Sequence, residues 1–364
     1  MTAARWLWPV GLALTLYLPG RLWAEPQPRP AHIGFEEYVA PMVQQTIDIH
    51  SATDTAAIAP VIKAFERIFP SIDVRYHEYE STALYRALTQ GDITGADVVI
   101  SSAMDLQIKL VNDGFARPLT VPQTLELPAW AHWRSEAFGF TFEPVVIAYN
   151  KAALPDNQVP RSHEQLVNAL RREPARYANK VGTYDIRASG AGYLLATQDT
   201  VVSSIAGRML ESLARAAARV YCCTSEILDD LARGELLIGY NLLGSYALAR
   251  ARVDPRIGVI MPEDYTLVMS RVALVPKQTD AFDAAQAFIR FLLSREGQQV
   301  IAQQSNLIAL HPRVSGPSSI AAISENNPLR FNPIRVAAPL LTYQDRMKRE
   351  RFIREWTQLF VPES

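Results

Sequence analysis

Four segments of the chain place hydroxyl, amide and glycine residues directly after an apolar, strand-like run and before a helix-like run. Such donors suit an oxyanion, because the free N–H groups and partial positive charge of a helix N-terminus favour negative groups. Serine and threonine at these places could instead cap the helix and bind nothing. The candidate ligand-binding residues in the four segments are Ser51, Thr53, Ser101, Ser102, Ser189, Gly190, Gly192, Asn241, Ser245 and Tyr246.

Two further residues near these segments could reach the same ligand. Arg187 precedes the third segment, and its planar guanidinium could hold a phosphate or carboxylate through two parallel hydrogen bonds. A surface arginine without a ligand is the alternative for that position. Tyr265 lies beside a later strand-like run and could cover the ligand from there.

Alternating strand and helix patterns would position these residues. A strand pattern over residues 47–51 leads into residues 56–69, where apolar side chains recur at helical spacing. Further strand patterns cover residues 71–79, 96–100 and 140–149. This alternation predicts an α/β architecture.

The second half of the chain repeats the same order. Strand, loop and helix patterns follow one another over residues 181–199 and again over 236–252. A long helix is predicted over residues 282–304, and a Lys/Arg-rich amphipathic helix over 342–360. The charges of the last helix are interpreted as a solvated face rather than a membrane or nucleic-acid site.

The first residues predict export. Arg5, an apolar run over residues 6–18 and a small residue at Ala24 have the layout of a cleavable signal peptide, here residues 1–24. An uncleaved membrane anchor is the alternative, but spanning a bilayer takes roughly 20 apolar residues. The Pro-rich start of residues 25–43 is typical of a linker, and the protein is expected to be soluble in the periplasm.

Charge and length exclude some classes of protein. The 36 Lys+Arg and 37 Asp+Glu residues give a net charge of −1, and removal of Arg5 and Arg21 would change −1 to −3. A nearly neutral protein lacks the basic field that nucleic acid requires. Its 364 residues exceed what one core usually supports, so two domains are expected.

The two cysteines are adjacent, at Cys222 and Cys223. Neighbouring Cα atoms are about 3.8 Å apart, below the usual range for a disulfide. Two small buried thiols are therefore expected. A redox switch or a ligand contact is the alternative.

Motifs for catalysis, metals and cofactors are missing from the sequence. It has no nucleophile elbow, P-loop, zinc-protease helix or dinucleotide fingerprint, and its carboxylates show no acid/base pairing. The six histidines show no i, i+4 pairing, so metal-ligand spacing is lacking. We expect a binding protein rather than an enzyme, with no cofactor and no metal.

Several motifs occur in a recognisable order. They are Ser51-Ala52-Thr53, then Ala-Asp-Val-Val-Ile-Ser at residues 96–101, the strand at 142–151, the Gly-Glu strand entry that closes 224–235, and Ser-Arg-Glu-Gly-Gln within 287–298. In this order they resemble the type II periplasmic solute-binding proteins of ABC importers. The resemblance covers roughly residues 44–310. It is strongest to the branch that holds ferric-ion-binding, hexose-phosphate-binding and phosphoglycerate-transport regulatory proteins.

The resemblance implies two α/β lobes joined by two crossing hinge strands, near residues 142–149 and 265–270, with ligand in the cleft between them. The implied boundaries are 44–145 plus 268–315 for lobe 1 and 146–267 for lobe 2. Residues 316–364 would form a C-terminal tail whose amphipathic helix packs on lobe 1.

The function implied is capture of a small anionic solute, a phosphorylated sugar or organic phosphate, for an ABC permease in the inner membrane. One alternative is a sensor that feeds a histidine kinase. Another is a ferric-iron carrier, but that branch typically has two adjacent tyrosines where this chain has Ser245 and Tyr246. An exported hydrolase or transferase with the same fold is the enzymatic alternative.

Overall fold

The computed structural model describes residues 32–39, 42–325 and 331–360. The signal peptide predicted over residues 1–24 lies outside the described residues. Part of the predicted linker is a strand, His32–Tyr38, which pairs antiparallel with a neighbouring strand. Within the described residues, the helices are all too short or too polar to cross a membrane.

The described residues form two mixed sheets. The order of the first is β1-β3-β2-β4-β13-β6-β5. Its strands are β1 (His32–Tyr38), β2 (Gln45–Ser51), β3 (Ile72–Tyr79), β4 (Val98–Ser101), β5 (His132–Trp133), β6 (Ala137–Gly139) and β13 (Val272–Leu274). We call this sheet with its helices the first lobe.

The second sheet has the order β14-β12-β7-β10-β8-β9, and β11 pairs with β7. Its strands are β7 (Glu143–Asn150), β8 (Val181–Tyr184), β9 (Arg219–Tyr221), β10 (Ile238–Leu243), β11 (Ile257–Ile260), β12 (Thr266–Met269) and β14 (Phe331–Pro333). We call this sheet with its helices the second lobe. The two-lobed α/β arrangement expected from the sequence is confirmed.

Helices follow most of the strands, as the sequence pattern predicts. The α-helices are α1 (Thr55–Ile68), α2 (Ser81–Gln90), α3 (Met104–Asn112), α4 (His163–Arg172), α5 (Pro174–Tyr177), α6 (Gly190–Val202), α7 (Ala206–Arg215), α8 (Thr224–Arg233), α9 (Gly244–Val253), α10 (Phe282–Leu293), α11 (Arg295–Gln304), α12 (Ile320–Glu325) and α13 (Arg346–Phe360). Short 3₁₀ helices cover Pro122–Glu126, Ala129–Ala131, Asp156–Gln158 and Ala338–Tyr343.

Helix α1 shows how the apolar spacing builds the first lobe. Ile58, Val61, Ile62 and Phe65 are all fully buried against the first sheet. The Phe65 ring meets Phe288 of α10 edge-on, with centroids 5.1 Å apart. Full burial of each such side chain contributes about 2 kcal/mol. This packing fixes the start of α1, where the Ser51–Thr53 loop lies.

The long helix predicted over residues 282–304 is two helices. Ser294 ends α10 and caps α11, because its hydroxyl accepts a hydrogen bond from the N–H of Gly297 over 3.1 Å. A side chain at position 297 would clash with the carbonyl oxygen of Phe291. The Ser-Arg-Glu-Gly sequence therefore marks a helix junction that apolar periodicity does not detect.

The chain crosses directly between the sheets at residues 140–142 and at Ser270–Arg271, and it returns to the second sheet by the longer path from β13 to β14. The two crossings are hydrogen-bonded to each other. The N–H of Arg271 donates to Thr141 Oγ1 over 2.8 Å, and the N–H of Thr141 donates to Ser270 Oγ over 3.2 Å. The hinge therefore consists of two short segments that are hydrogen-bonded to each other. They lie next to the residues where the resemblance placed the crossing strands.

The C-terminal helix α13 packs on the second lobe, where it contacts α7, whereas the resemblance placed it on lobe 1. Trp356 is buried among Ile186, Tyr193 and Ala196. Arginines such as Arg346 and Arg351 stay exposed on the opposite side. The aromatic residues of α13 pack on the second lobe because α6 and α7 leave an apolar groove there. Contacts between residues far apart in the sequence create this groove, so the local pattern does not reveal it.

Candidate functional site

A buried ion pair joins the two crossings. Glu143 begins β7 and Arg271 separates β12 from β13, and the Arg271 guanidinium donates through Nη1 to the Glu143 carboxylate. The Glu143 side chain is 0% exposed and the Arg271 side chain is 1% exposed. A buried charge of this kind persists only when it is paired and hydrogen-bonded. The pair therefore fixes the guanidinium where the lobes meet.

One edge of the Arg271 guanidinium, called its open edge below, makes no hydrogen bond to the described residues. Its Nε and Nη2 are buried and have no hydrogen-bond partner among the described residues. The Tyr246 ring of α9 lies 5.0 Å from the guanidinium carbon. Burial opposes the charge of Arg271, but Tyr246 and Glu143 outweigh it and raise the pKa above the usual arginine value. Arg271 therefore presents a permanent positive charge with two unused donors.

The β2–α1 loop reaches the same region from the first lobe. The Thr53 hydroxyl is fully buried and, within the part of the chain described, has no hydrogen-bond partner. The Tyr76 hydroxyl donates to the Thr53 carbonyl over 2.6 Å. Burial raises the pKa of Tyr76, and the charge of Arg271 acts on the same phenol in the opposite sense. Ser51 pairs with Ile100 of β4, and Val272 of β13 pairs with Ser101 of β4, so Thr53 and Arg271 lie at the same edge of the first sheet. We call the region around Thr53, Arg271 and Tyr246 the crevice.

The β10–α9 segment contributes from the second lobe. Ser245 donates to Glu143 twice, from its backbone N–H over 2.6 Å and from its hydroxyl over 2.7 Å. Burial raises the pKa of the Tyr246 phenol far above its usual value, so this group stays neutral and keeps its proton. Ser245 therefore serves the ion pair, and Tyr246 forms a wall beside the open guanidinium edge.

Two other hydroxyls of the predicted site accept hydrogen bonds from backbone N–H groups. Ser51 Oγ accepts from the N–H of Thr53 over 3.0 Å, and Ser101 Oγ accepts from the N–H of Ala103 over 3.1 Å. Ser102 is buried beside Ser101. Each bond closes the turn between a strand and the next helix.

The junction before α6 lies where the two lobes touch. Ser189 caps α6 by accepting from the N–H of Gly192 over 3.1 Å. The N–H of Gly190 donates over 3.1 Å to the hydroxyl of Ser81 in the first lobe. These backbone donors are therefore engaged with protein oxygens and hold the lobes together at this edge.

Three predicted residues lie away from Arg271. Arg187 is exposed and forms an ion pair with Asp185 at 2.6 Å, over the ring of Trp356. Asn241 and Tyr265 both donate to the buried carboxylate of Asp199, over 2.7 and 2.9 Å. They build the interior of the second lobe.

Sequence reasoning missed Arg271 and Glu143. Each is the single charged residue in an otherwise apolar or uncharged run, residues 266–275 and 140–149 respectively. A lone charge inside a strand pattern is expensive to bury without a partner. Two such runs with opposite charges were a usable signal, although the pairing itself joins residues separated by 128 positions.

The adjacent cysteines form a disulfide, which corrects the expectation of two buried thiols. Both are half-buried at the turn between β9 and α8, where Cys223 is the residue before the helix. Cys223 Sγ lies 3.9 Å from Glu80 Oε1 of the first lobe. Thr224, the next residue, shares a 2.5 Å hydrogen bond with the Tyr184 hydroxyl, which connects this turn to the end of β8.

Comparison with known proteins agrees with this fold. Residues 61–327 match the model of the bacterial extracellular solute-binding protein family. No curated protein sequence matches the chain. A solved structure of the substrate-binding protein of an ABC transporter from Agrobacterium tumefaciens is 32% identical, with 91% of this chain and 99% of that chain covered and a TM-score of 0.84.

More distant structures share the fold alone. The periplasmic binding protein AfuA from Actinobacillus pleuropneumoniae, solved with exogenous fructose-6-phosphate bound, is 16% identical. It covers 88% of this chain and 100% of its own, with a TM-score of 0.72. The ferric binding protein from Campylobacter jejuni is 20% identical, covers 86% and 98%, and has a TM-score of 0.68. The family-model match spans more than half of the sequence, and on that basis the chain belongs to the family of bacterial extracellular solute-binding proteins.

Proposed function

We propose that this protein captures a small oxyanionic solute between its lobes and delivers it to an ABC permease of the inner membrane. The observation that carries the proposal is the open edge of Arg271, where Nε and Nη2 are buried without a partner among the described residues. Buried donors that protein atoms leave unused are costly, and a ligand oxygen would remove that cost. The protein binds the solute and does not convert it.

The signal-peptide layout of residues 1–24 supports capture in the periplasm. There the protein would meet the solute with its lobes apart and close on it by hinge motion at residues 140–142 and Ser270–Arg271. A phosphorylated sugar or organic phosphate is the ligand class that the sequence suggested. The unpaired donors of Arg271 require an oxyanion that a guanidinium can hold.

A ferric ion is a poorer match to the same residues. The Tyr246 phenol faces the positive charge of Arg271, which repels a trivalent cation in a buried space. Tyr240, the other tyrosine of this segment, donates its hydroxyl to Asp199 over 2.8 Å instead. We therefore favour an anionic ligand over iron for this crevice.

A thermal-shift assay on the protein purified from periplasm tests the proposal. Ligands present at 100 times Kd stabilise a protein by about 2.7 kcal/mol, so millimolar phosphate esters, carboxylates, neutral sugars and ferric citrate can be compared directly. We expect an anion to raise the melting temperature and Arg271→Lys to abolish most of that rise. The matched control is Arg171→Lys, an exposed arginine in the last turn of α4.

A rise produced by ferric citrate but not by citrate alone, with a visible absorption band, would replace this proposal by iron binding. A rise produced only by neutral sugars, and unchanged in Arg271→Lys, would show that no anion is recognised here.

A further inference from the structure

The donors near the crevice are mostly engaged with protein oxygens, and this restricts the ligand. At the start of α1, the N–H and the hydroxyl of Thr55 both donate to Glu78 Oε2, over 2.7 and 2.6 Å. A carboxylate of the protein therefore already occupies the position that a phosphate would take at this helix N-terminus.

Backbone donors at the starts of α6 and α3 are also engaged with protein oxygens. At α6, Gly190 donates to Ser81 and Gly192 donates to Ser189. At α3, the N–H of Leu106 donates to the carboxylate of Asp105 over 3.0 Å. None of these donors is left for a phosphoryl group, which carries three strong acceptor oxygens.

Three buried side-chain atoms in this part of the described structure can donate and have no hydrogen-bond partner there: Arg271 Nε, Arg271 Nη2 and Thr53 Oγ1. The Nε–Nη2 edge of a guanidinium offers two parallel N–H groups, and their spacing matches the two oxygens of one carboxylate. A hydroxyl then adds one donor to a remaining lone pair.

The charges around the crevice point in the same direction. Arg271 already shares its positive charge with Glu143, and both side chains are fully buried. The carboxylates of Asp54 and Glu143 act on the Tyr246 phenol, and that of Glu78 acts on Tyr76, against the single guanidinium. In a region of low dielectric these carboxylates would repel a dianion more strongly than a monoanion.

We infer that the group seated at Arg271 and Thr53 is the carboxylate of a solute with one net negative charge. The inference rests on the proposed function and names the chemical class of its ligand. The remainder of the solute would lie against the Tyr246 ring.

Isothermal titration with matched probes tests the inference. Glucuronate and glucose 6-phosphate, and glycerate and glycerol 3-phosphate, differ within each pair chiefly in the anionic group. We expect a carboxylate to bind at least ten times more tightly than its phosphate partner. Its Kd should stay constant from pH 5.5 to 8, because a carboxylate keeps one charge there, whereas a phosphate ester gains its second charge near pH 6.

Variant Thr53→Val tests whether the Thr53 hydroxyl contacts the bound carboxylate. It removes a hydroxyl that no described protein group uses, so the melting temperature without ligand should be unchanged or higher, while carboxylate affinity falls about tenfold. The control is Thr197→Val, a buried threonine in α6 whose hydroxyl donates to the Leu194 carbonyl. That variant should melt at a lower temperature and bind normally.

Tighter binding of either phosphate ester would overturn the carboxylate inference and leave the proposed function standing. Failure of every carboxylate and every phosphate ester to bind would overturn both. Unchanged carboxylate affinity in Thr53→Val would remove Thr53 from the seat and contradict the inference as stated.

Discussion

The backbone N–H of Gly190 donates to the hydroxyl of Ser81 across the two lobes, over 3.1 Å. A Cβ atom at position 190 would lie 2.8 Å from Ser81 Oγ and 3.0 Å from the Cβ of Ala103. Side chains do not tolerate such approaches, so the start of α6 can meet the first lobe this closely only as glycine. The lobes therefore touch at a position where one methyl group would separate them.

Gly190→Ala should weaken ligand binding by interfering with closure. We expect about a tenfold loss of affinity by calorimetry, with little change in the melting temperature of the ligand-free protein. Gly207→Ala in α7 is the control, because a Cβ there would contact nothing. It should bind normally and gain about 0.5–1 kcal/mol of stability. Wild-type affinity in Gly190→Ala would show that this contact is not part of the bound state.

The Arg271–Glu143 pair predicts strong non-additivity. Glu143→Gln leaves a buried guanidinium with less compensation and weakens the two bonds from Ser245, so we expect a loss of about 3 kcal/mol in urea unfolding. Glu143→Gln combined with Arg271→Met removes both charges and should cost less than the sum of the single variants. Additive losses would mean that the two charges do not stabilise each other.

Asp105 predicts a pH dependence of stability. Burial raises the pKa of this carboxyl, in the first turn of α3, to about 6. The folded protein therefore holds the proton more tightly than the unfolded chain does, and this group contributes stability below pH 4 that is lost as the pH rises through about 6. The full effect is about 3 kcal/mol.

Urea unfolding between pH 4 and 7.5 measures this contribution of Asp105 to the free energy of unfolding. The stability of the wild type relative to Asp105→Asn should increase as the pH falls across this range. Asp92→Asn, an exposed carboxyl after α2, should track the wild type. A constant difference between wild type and Asp105→Asn would show that the carboxyl is ionised throughout.

The adjacent cysteines predict a thiol titration that depends on reduction. Denatured but unreduced protein should show no reactive thiol, and reduced protein should show two. Because the bond closes a loop of two residues, its entropic contribution is only about 1 kcal/mol, and reduction should lower the melting temperature slightly. Two thiols in the unreduced protein would contradict the disulfide.

The sequence predicted the fold well because apolar periodicity and short loops are local signals. The strand before Ser51, helix α1 and strand β4 all lie where their patterns place them. The break at Ser294 was missed because an apolar stripe continues through it, whereas the Ser–Gly capping bond depends on backbone geometry.

The candidate site was predicted less completely. Ser51 and Thr53 lie at the same edge of the first sheet as Arg271, and the Tyr246 ring of the second lobe lies 5.0 Å from the Arg271 guanidinium. The hydrogen-bond partners of the predicted hydroxyls could not be deduced from neighbouring residues in the sequence. Ser189 caps its own helix, whereas the Thr53 hydroxyl has no partner among the described residues. The pairing of Arg271 with Glu143 arises from chain crossing, which no local pattern encodes.

The hydrogen bonds that tie Thr141 to Ser270 and Arg271 give the crossing a mechanical consequence. Any rotation that parts the halves must turn the very peptides from which the guanidinium projects. The contacts between Arg271 and the ligand would then weaken during the opening movement itself. A transporter that separates the lobes would therefore release the ligand without a separate signal.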